Sequence, residues 1–130
     1  MATLKIGDLS VGDWMRFGGI DYQVKSIDGA FERVTLIGNK EQRDESIYAL
    51  HPILITAEIL EKNGFRKNGE YNEWNIGEWN ERPFIGVSLD RQSMRVKYFG
   101  NDIFIENKVV YVHQLQHALR LAGVDKEINL

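Results

Sequence analysis

His113-Gln114-Leu115-Gln116-His117 places two imidazoles at i and i+4, the spacing by which H-E-x-x-H zinc hydrolases hold their metal from one helix face. The match fails at Gln114, which stands where the general-base glutamate belongs. An amide cannot take a proton from a metal-bound water near neutral pH. A third ligand would have to be His51 or a carboxylate that spacing alone does not place. A metal-dependent enzyme using His113 and His117 is therefore the second alternative, and no metal or cofactor is expected. In the plainer reading His113, Gln116 and His117 form a solvated polar helix face, hydrogen-bonded to neighbouring strands or water and open to a partner.

The serines Ser10, Ser26, Ser46, Ser88 and Ser93 lie in no G-x-S-x-G setting, and neither G-x-x-x-x-G-K-[ST] nor G-x-G-x-x-G occurs. Glu73, Glu78 and Glu81 fall in a polar stretch, where solvation gives no cause for a raised pKa. With no cysteine there is no thiolate nucleophile, disulfide framework or cysteine zinc site, a composition that suits a reducing compartment. The chain reads as noncatalytic.

Binding chemistry is better represented. Glu-Trp-Asn appears twice between Glu70 and Arg82, and Trp74 and Trp79 on this acidic, asparagine-rich background suit a protein interface, since tryptophan buries much area at small entropic cost. The structural alternative is that Trp74 fills a gap between sheets and Trp79 caps the loop. Trp14 with Arg16, or Arg95 and Lys97 beside Phe99 and Phe104, carry the charge and stacking surface that single-stranded nucleic acid uses. Charge argues against that rival. The net charge is −3, with seven basic and ten acidic side chains in residues 1–65 and nine of each in 66–130, so neither half is a basic footprint. A protein partner is favoured and single-stranded nucleic acid is the first alternative. The contact residues expected are Trp14, Trp74, Trp79, His113, Gln116 and His117.

These residues need elements to position them. Two Gly-Asp turns, Gly7-Asp8 and Gly12-Asp13, precede a strand, and Gly18-Gly19 supplies the positive φ of a two-residue hairpin loop. That loop pairs Phe17 with Ile20, Arg16 with Asp21 and Met15 with Tyr22, and turns Trp14 away from the apolar face. A turn at Asp28-Gly29-Ala30 would then pair Val24 with Val34 and Tyr22 with Leu36. The polar run Gly38 to Ser46 offers nothing to bury and reads as flexible, with a further strand at Ser46 to Leu50. Residues 1–54 thus read as a small bent antiparallel sheet, an SH3-like barrel.

In residues 55–130, Thr56 is a good N-cap, Glu58 lies in the first turn, and Gly64 ends a short helix over Ala57 to Lys62 in a Schellman motif that brings Phe65 to Leu60. Ile85, Val87 and Leu89, then Met94, Val96 and Tyr98, alternate as strands. A turn at Asp90 to Ser93 would pair Val87 with Val96, and one at Gly100-Asn101 would pair Ile105 with Val96 and Arg95 with Glu106. Tyr111 to Gly123 reads as an amphipathic helix whose side with Val112, Leu115, Ala118, Leu119 and Ala122 covers the sheet. The expected fold is α+β: the bent sheet, a short helix, then an antiparallel meander packed by the C-terminal helix, the two parts being expected to form one compact unit. Neither a signal peptide nor an apolar membrane span is evident, so a cytoplasmic protein is expected.

Ile55-Thr56-Ala57-Glu58-Ile59-Leu60-Glu61-Lys62-Asn63-Gly64-Phe65, the segment Tyr111-Val112-His113-Gln114-Leu115-Gln116 and the opening Leu9 to Trp14 together resemble a family of small uncharacterised proteins from gut anaerobes, their phages and mobile elements. The Val-His-Gln-Leu-Gln segment is the most specific part, and His117 departs from a pattern that has asparagine there. The resemblance implies a similar fold and a phage or mobile-element origin, and brings no activity with it.

Overall fold

The computed structural model describes residues 4–68, 72–77, 83–98, 101–106 and 111–130, in two compact units, Met1–Ile53 and Leu54–Leu130. The fold is α+β, with two antiparallel sheets and a C-terminal helix. Among the described residues no helix is long and apolar enough to cross a membrane.

In the N-terminal unit, β1 (Trp14–Phe17), β2 (Ile20–Asp28), β3 (Arg33–Gly38) and β4 (Glu41–Ser46) form a sheet in that order. The Gly18-Gly19 hairpin has the expected register, and Arg16 meets Asp21 at 2.9 Å. Met15, Tyr22, Val24, Val34 and Leu36 make the core with Leu9, Ile47 and Leu50. Both early aspartates fasten the turns before β1, Asp8 accepting from the Lys5 N–H at 2.9 Å and the buried Asp13 from the Ser10 N–H at 2.8 Å.

Two expectations are corrected here. Val24 pairs with Leu36 rather than Val34, because the loop, Gly29 to Glu32, begins one residue later and is one residue longer than supposed, and a bulge follows Val24. The polar run after Gly38 is not a loop: Asn39 and Lys40, at φ 48° and 60°, make a two-residue turn into β4, and Ser46 caps a 3-10 turn, Ile47–Ala49, in place of the supposed strand. As an edge strand β4 carries charge even on its inward positions, which discourages pairing with another chain. Arg43 lies 5.0 Å from the Phe17 ring centroid and pairs with Glu45 at 3.1 Å. Glu41 accepts a 2.5 Å hydrogen bond from Tyr22, which with burial and the Glu41 charge holds the Tyr22 phenol above its usual pKa. The sheet is not a closed barrel. The chain returns to β1 at a single bridge, where Arg16 and His51 exchange two backbone hydrogen bonds of 2.9 Å.

The C-terminal unit begins with α1 (Ala57–Lys62), where Thr56 Oγ1 accepts from the Ile59 N–H at 3.3 Å. It ends in the expected Schellman pair, Phe65 N–H to Leu60 O and Gly64 N–H to Glu61 O. A sheet follows in the order β5 (Arg66–Asn68), β6 (Glu73–Ile76), β7 (Phe84–Ser88), β8 (Ser93–Tyr98) and β9 (Asn101–Glu106). Trp74, Val87, Met94 and Ile105 form one cross-strand row, and Ile76, Ile85, Val96 and Ile103 the next. Ile85, Val87, Met94 and Val96 are fully buried, as are Val112, Leu115 and Leu119 of α2 (Val112–Leu121) in the same unit, so the apolar face of the sheet and the apolar side of the helix are both shielded from solvent.

Strand β5 is hidden in the sequence by its polar composition, and β6 by the shortness of its alternation, Trp74 and Ile76 within a polar stretch. The pairings at β7, β8 and β9 are each two residues from the expected ones: Val87 meets Met94, Val96 meets Ile103, and Arg95 lies opposite Phe104, with Glu106 opposite Ser93. A shift of two keeps every side chain on its face, so alternation cannot detect it.

Candidate functional site

The face of the second sheet opposite its apolar rows is polar and built from two cross-strand rows. Arg66, Asn75, Gly86 and Arg95 are successive partners across β5 to β8, and Asn68, Glu73, Ser88 and Ser93 are successive partners beside them. Side chains two apart on a strand share a face, so the rows are neighbours. Between them lies a groove of about 340 Å³, lined by Asn68, Glu73, Asn75, Ser88, Arg91 and Arg95 among others. A second hollow of about 400 Å³ at the β5 side shares Asn68 and Asn75 and adds Arg66 and Lys67.

Gly86 shapes the floor. A Cβ there would meet the Phe84 ring at 3.2 Å, so the absent side chain lets the ring lie along β7. Phe84 is only 4% exposed, so its ring offers little open face for stacking. Ser88 and Ser93 are buried in the floor, and Ser88 Oγ accepts from the Arg91 N–H at 3.3 Å, which fixes the turn carrying the Arg91 side chain. Among the described residues the groove combines guanidinium and amide donors, hydroxyls and one carboxylate, and no imidazole lines either hollow.

The six expected contact residues do not gather there. Trp74 is 8% exposed on the apolar face, its Nε1–H donating to Asn72 Oδ1 at 3.2 Å, so it fills the core rather than presenting an anchor. Trp79 lies outside the described residues, as do Glu78, Glu81 and Phe99. Trp14 is half-buried in the N-terminal unit. The solvated helix face is corrected as well: His113 and Gln116 are 5% and 7% exposed, because α2 is enclosed over more of its circumference than its apolar stripe. His113 stacks on Tyr111 with centroids 5.8 Å apart, and the half-buried His117 meets it edge-on at 5.8 Å. Among the described residues no group of three or more His, Cys, Asp or Glu is placed to hold a metal ion. His51 belongs to the N-terminal unit.

Sequence reasoning singled out Arg95 for binding, weighed Glu73, Ser88 and Ser93 only as catalytic groups, and did not bring them together as a groove. A glycine amid the apolar alternation of β7 was the available signal, since a strand glycine often marks a close approach of a ligand or another group. No family model, curated protein or solved structure matches the chain.

Proposed function

We propose that this chain is a noncatalytic, cytoplasmic binding module of phage or mobile-element origin, that its partner is a protein, and that it binds through the polar groove of the second sheet. The observation that carries the reading is the convergence of side chains from four strands and the Arg91 turn on one hollow, while the opposite face is buried. Hydrogen-bonding groups on rigid strands set orientation and specificity without chemistry of their own. The N-terminal unit belongs to this proposal as a partly open SH3-like barrel, supported by the 3-10 turn after β4 and the return of the chain to β1 at His51.

The test is affinity capture from the native host with wild-type protein and with Asn68→Trp, an exposed position lining both hollows, with Arg91→Gln as a second, milder variant. A partner held by the wild type and lost from the correctly folded variants supports the reading. Equal capture by all three proteins overturns it. Single-stranded nucleic acid remains the rival ligand, favoured by the arginines and amides of the same groove.

A further inference from the structure

We infer that the groove takes an extended acidic peptide segment whose carboxylates are spaced rather than contiguous, an inference that rests on the binding reading above. The C-terminal unit as a whole is slightly acidic, with ten basic and eleven acidic side chains over 54–130. Yet the described residues lining the two hollows include Arg66, Lys67, Arg91 and Arg95 against Glu73 as the one carboxylate. Cations are thus concentrated on this surface, and charge complementarity selects an anionic partner.

The arrangement of the charges decides which anion. Arg66 and Arg95 end one row, with Asn75 and Gly86 between them, so three strand spacings separate their backbones by about 14 Å. Four residues of extended peptide span about the same length, which lets two acidic side chains reach the two ends. Glu73 neighbours the middle of the row on β6 and repels an anion placed there. A phosphate backbone has a charge at every nucleotide and must set one near Glu73, whereas a peptide can put a neutral residue at that point. Nucleic acid also gains much of its binding from stacking. Among the described residues lining the groove the one aromatic, Phe84, is nearly fully covered. The amides of Asn68 and Asn75, which border both hollows, are suited to the peptide groups between the acidic side chains.

The probe is a fluorescein-labelled serine peptide with glutamate at every fourth position, compared by anisotropy with its lysine counterpart and with oligothymidylate. The acidic peptide is expected to bind, to weaken as salt rises, and to lose about two- to fivefold in affinity with each of Arg66→Gln and Arg91→Gln, the worth of one exposed ion pair. Both side chains are exposed, so the variants should retain the fold, and circular dichroism checks that. Tighter binding of oligothymidylate, affinity for the lysine peptide equal to that for the acidic one, no binding of the acidic peptide, or acidic-peptide binding unchanged in both variants overturns the inference. If the captured host partner is still lost from Asn68→Trp in any of those cases, the groove stands and only the ligand class falls. If the partner is retained, the groove itself is wrong.

Discussion

The side chain of Asn63 pairs with the backbone of Asn129, donating from Nδ2 to its carbonyl oxygen at 2.7 Å and accepting at Oδ1 from its N–H at 2.8 Å. The same Nδ2 donates to Ile59 O at 2.8 Å, and Lys62 Nζ donates to Leu130 O at 2.6 Å. The end of α1 is thereby strapped to the residues after α2, beside the buried Ile128. Asn63→Ala removes three hydrogen bonds that a buried side chain makes to part-exposed backbone groups and is expected to cost about 1–2 kcal/mol. Urea denaturation measures the loss, and amide exchange at Asn129 should accelerate. Unchanged exchange there would show that the strap is held by other contacts.

Gly77 has φ 81°, and a Cβ at this position would lie 2.4 Å from Pro83 O. Backbone oxygen cannot yield as a flexible side chain can, so Gly77→Ala meets strain in both φ and space. The expected destabilisation is about 2 kcal/mol or more, read as a lowered urea midpoint. A midpoint equal to wild type would mean that the β6 to β7 connection relaxes freely.

Tyr22 donates to Glu41, and that hydrogen bond, followed by burial, raises its pKa above the ordinary value of 10.0. A raised folded-state pKa contributes stability that is present in full below the unfolded value and disappears as pH climbs through the folded one. The stability difference between wild type and Tyr22→Phe should therefore be constant up to about pH 9 and shrink above about pH 10. Denaturation across that range checks it, and a difference that grows with alkalinity would contradict the assignment.

Leu115 and Leu121 lie on one helix in opposite circumstances, the first fully buried and the second 46% exposed. Leu115→Ala is expected to cost about 2–5 kcal/mol through lost burial and a residual cavity. Leu121→Ala should stay within about 0.5 kcal/mol. Equal costs in thermal or urea denaturation would place the buried side of α2 wrongly.

Trp74 supplies an optical test. In a Trp14→Phe, Trp79→Phe double variant the remaining indole should emit at short wavelength and resist iodide quenching, since its ring is shielded on the apolar face. Emission typical of a solvated indole would restore Trp74 as a surface anchor.

Local chemistry made much of this molecule legible in the sequence. Thr56 and Gly64 set both ends of α1, Gly18-Gly19 set the first hairpin and its register, and the alternation at Ile85, Val87, Met94 and Val96 assigned faces correctly, because caps, two-residue turns and period-two patterns depend on near neighbours. What the chain did not disclose by itself was anything that alternation leaves degenerate or that burial decides at long range. Pairings displaced by two residues keep the same faces, so turn length settled them. The polar strands β4 and β5 exist because a neighbouring strand satisfies their backbone, not because they have an apolar face, whereas β6 turns Trp74 and Ile76 to the apolar side. His113, Gln116 and Trp74 carry polar atoms that composition assigns to solvent, and the groove joins residues from 66 to 95 that are contiguous only across the sheet. Tertiary structure alone decides such features, because they arise from which surfaces meet rather than from which residues follow one another.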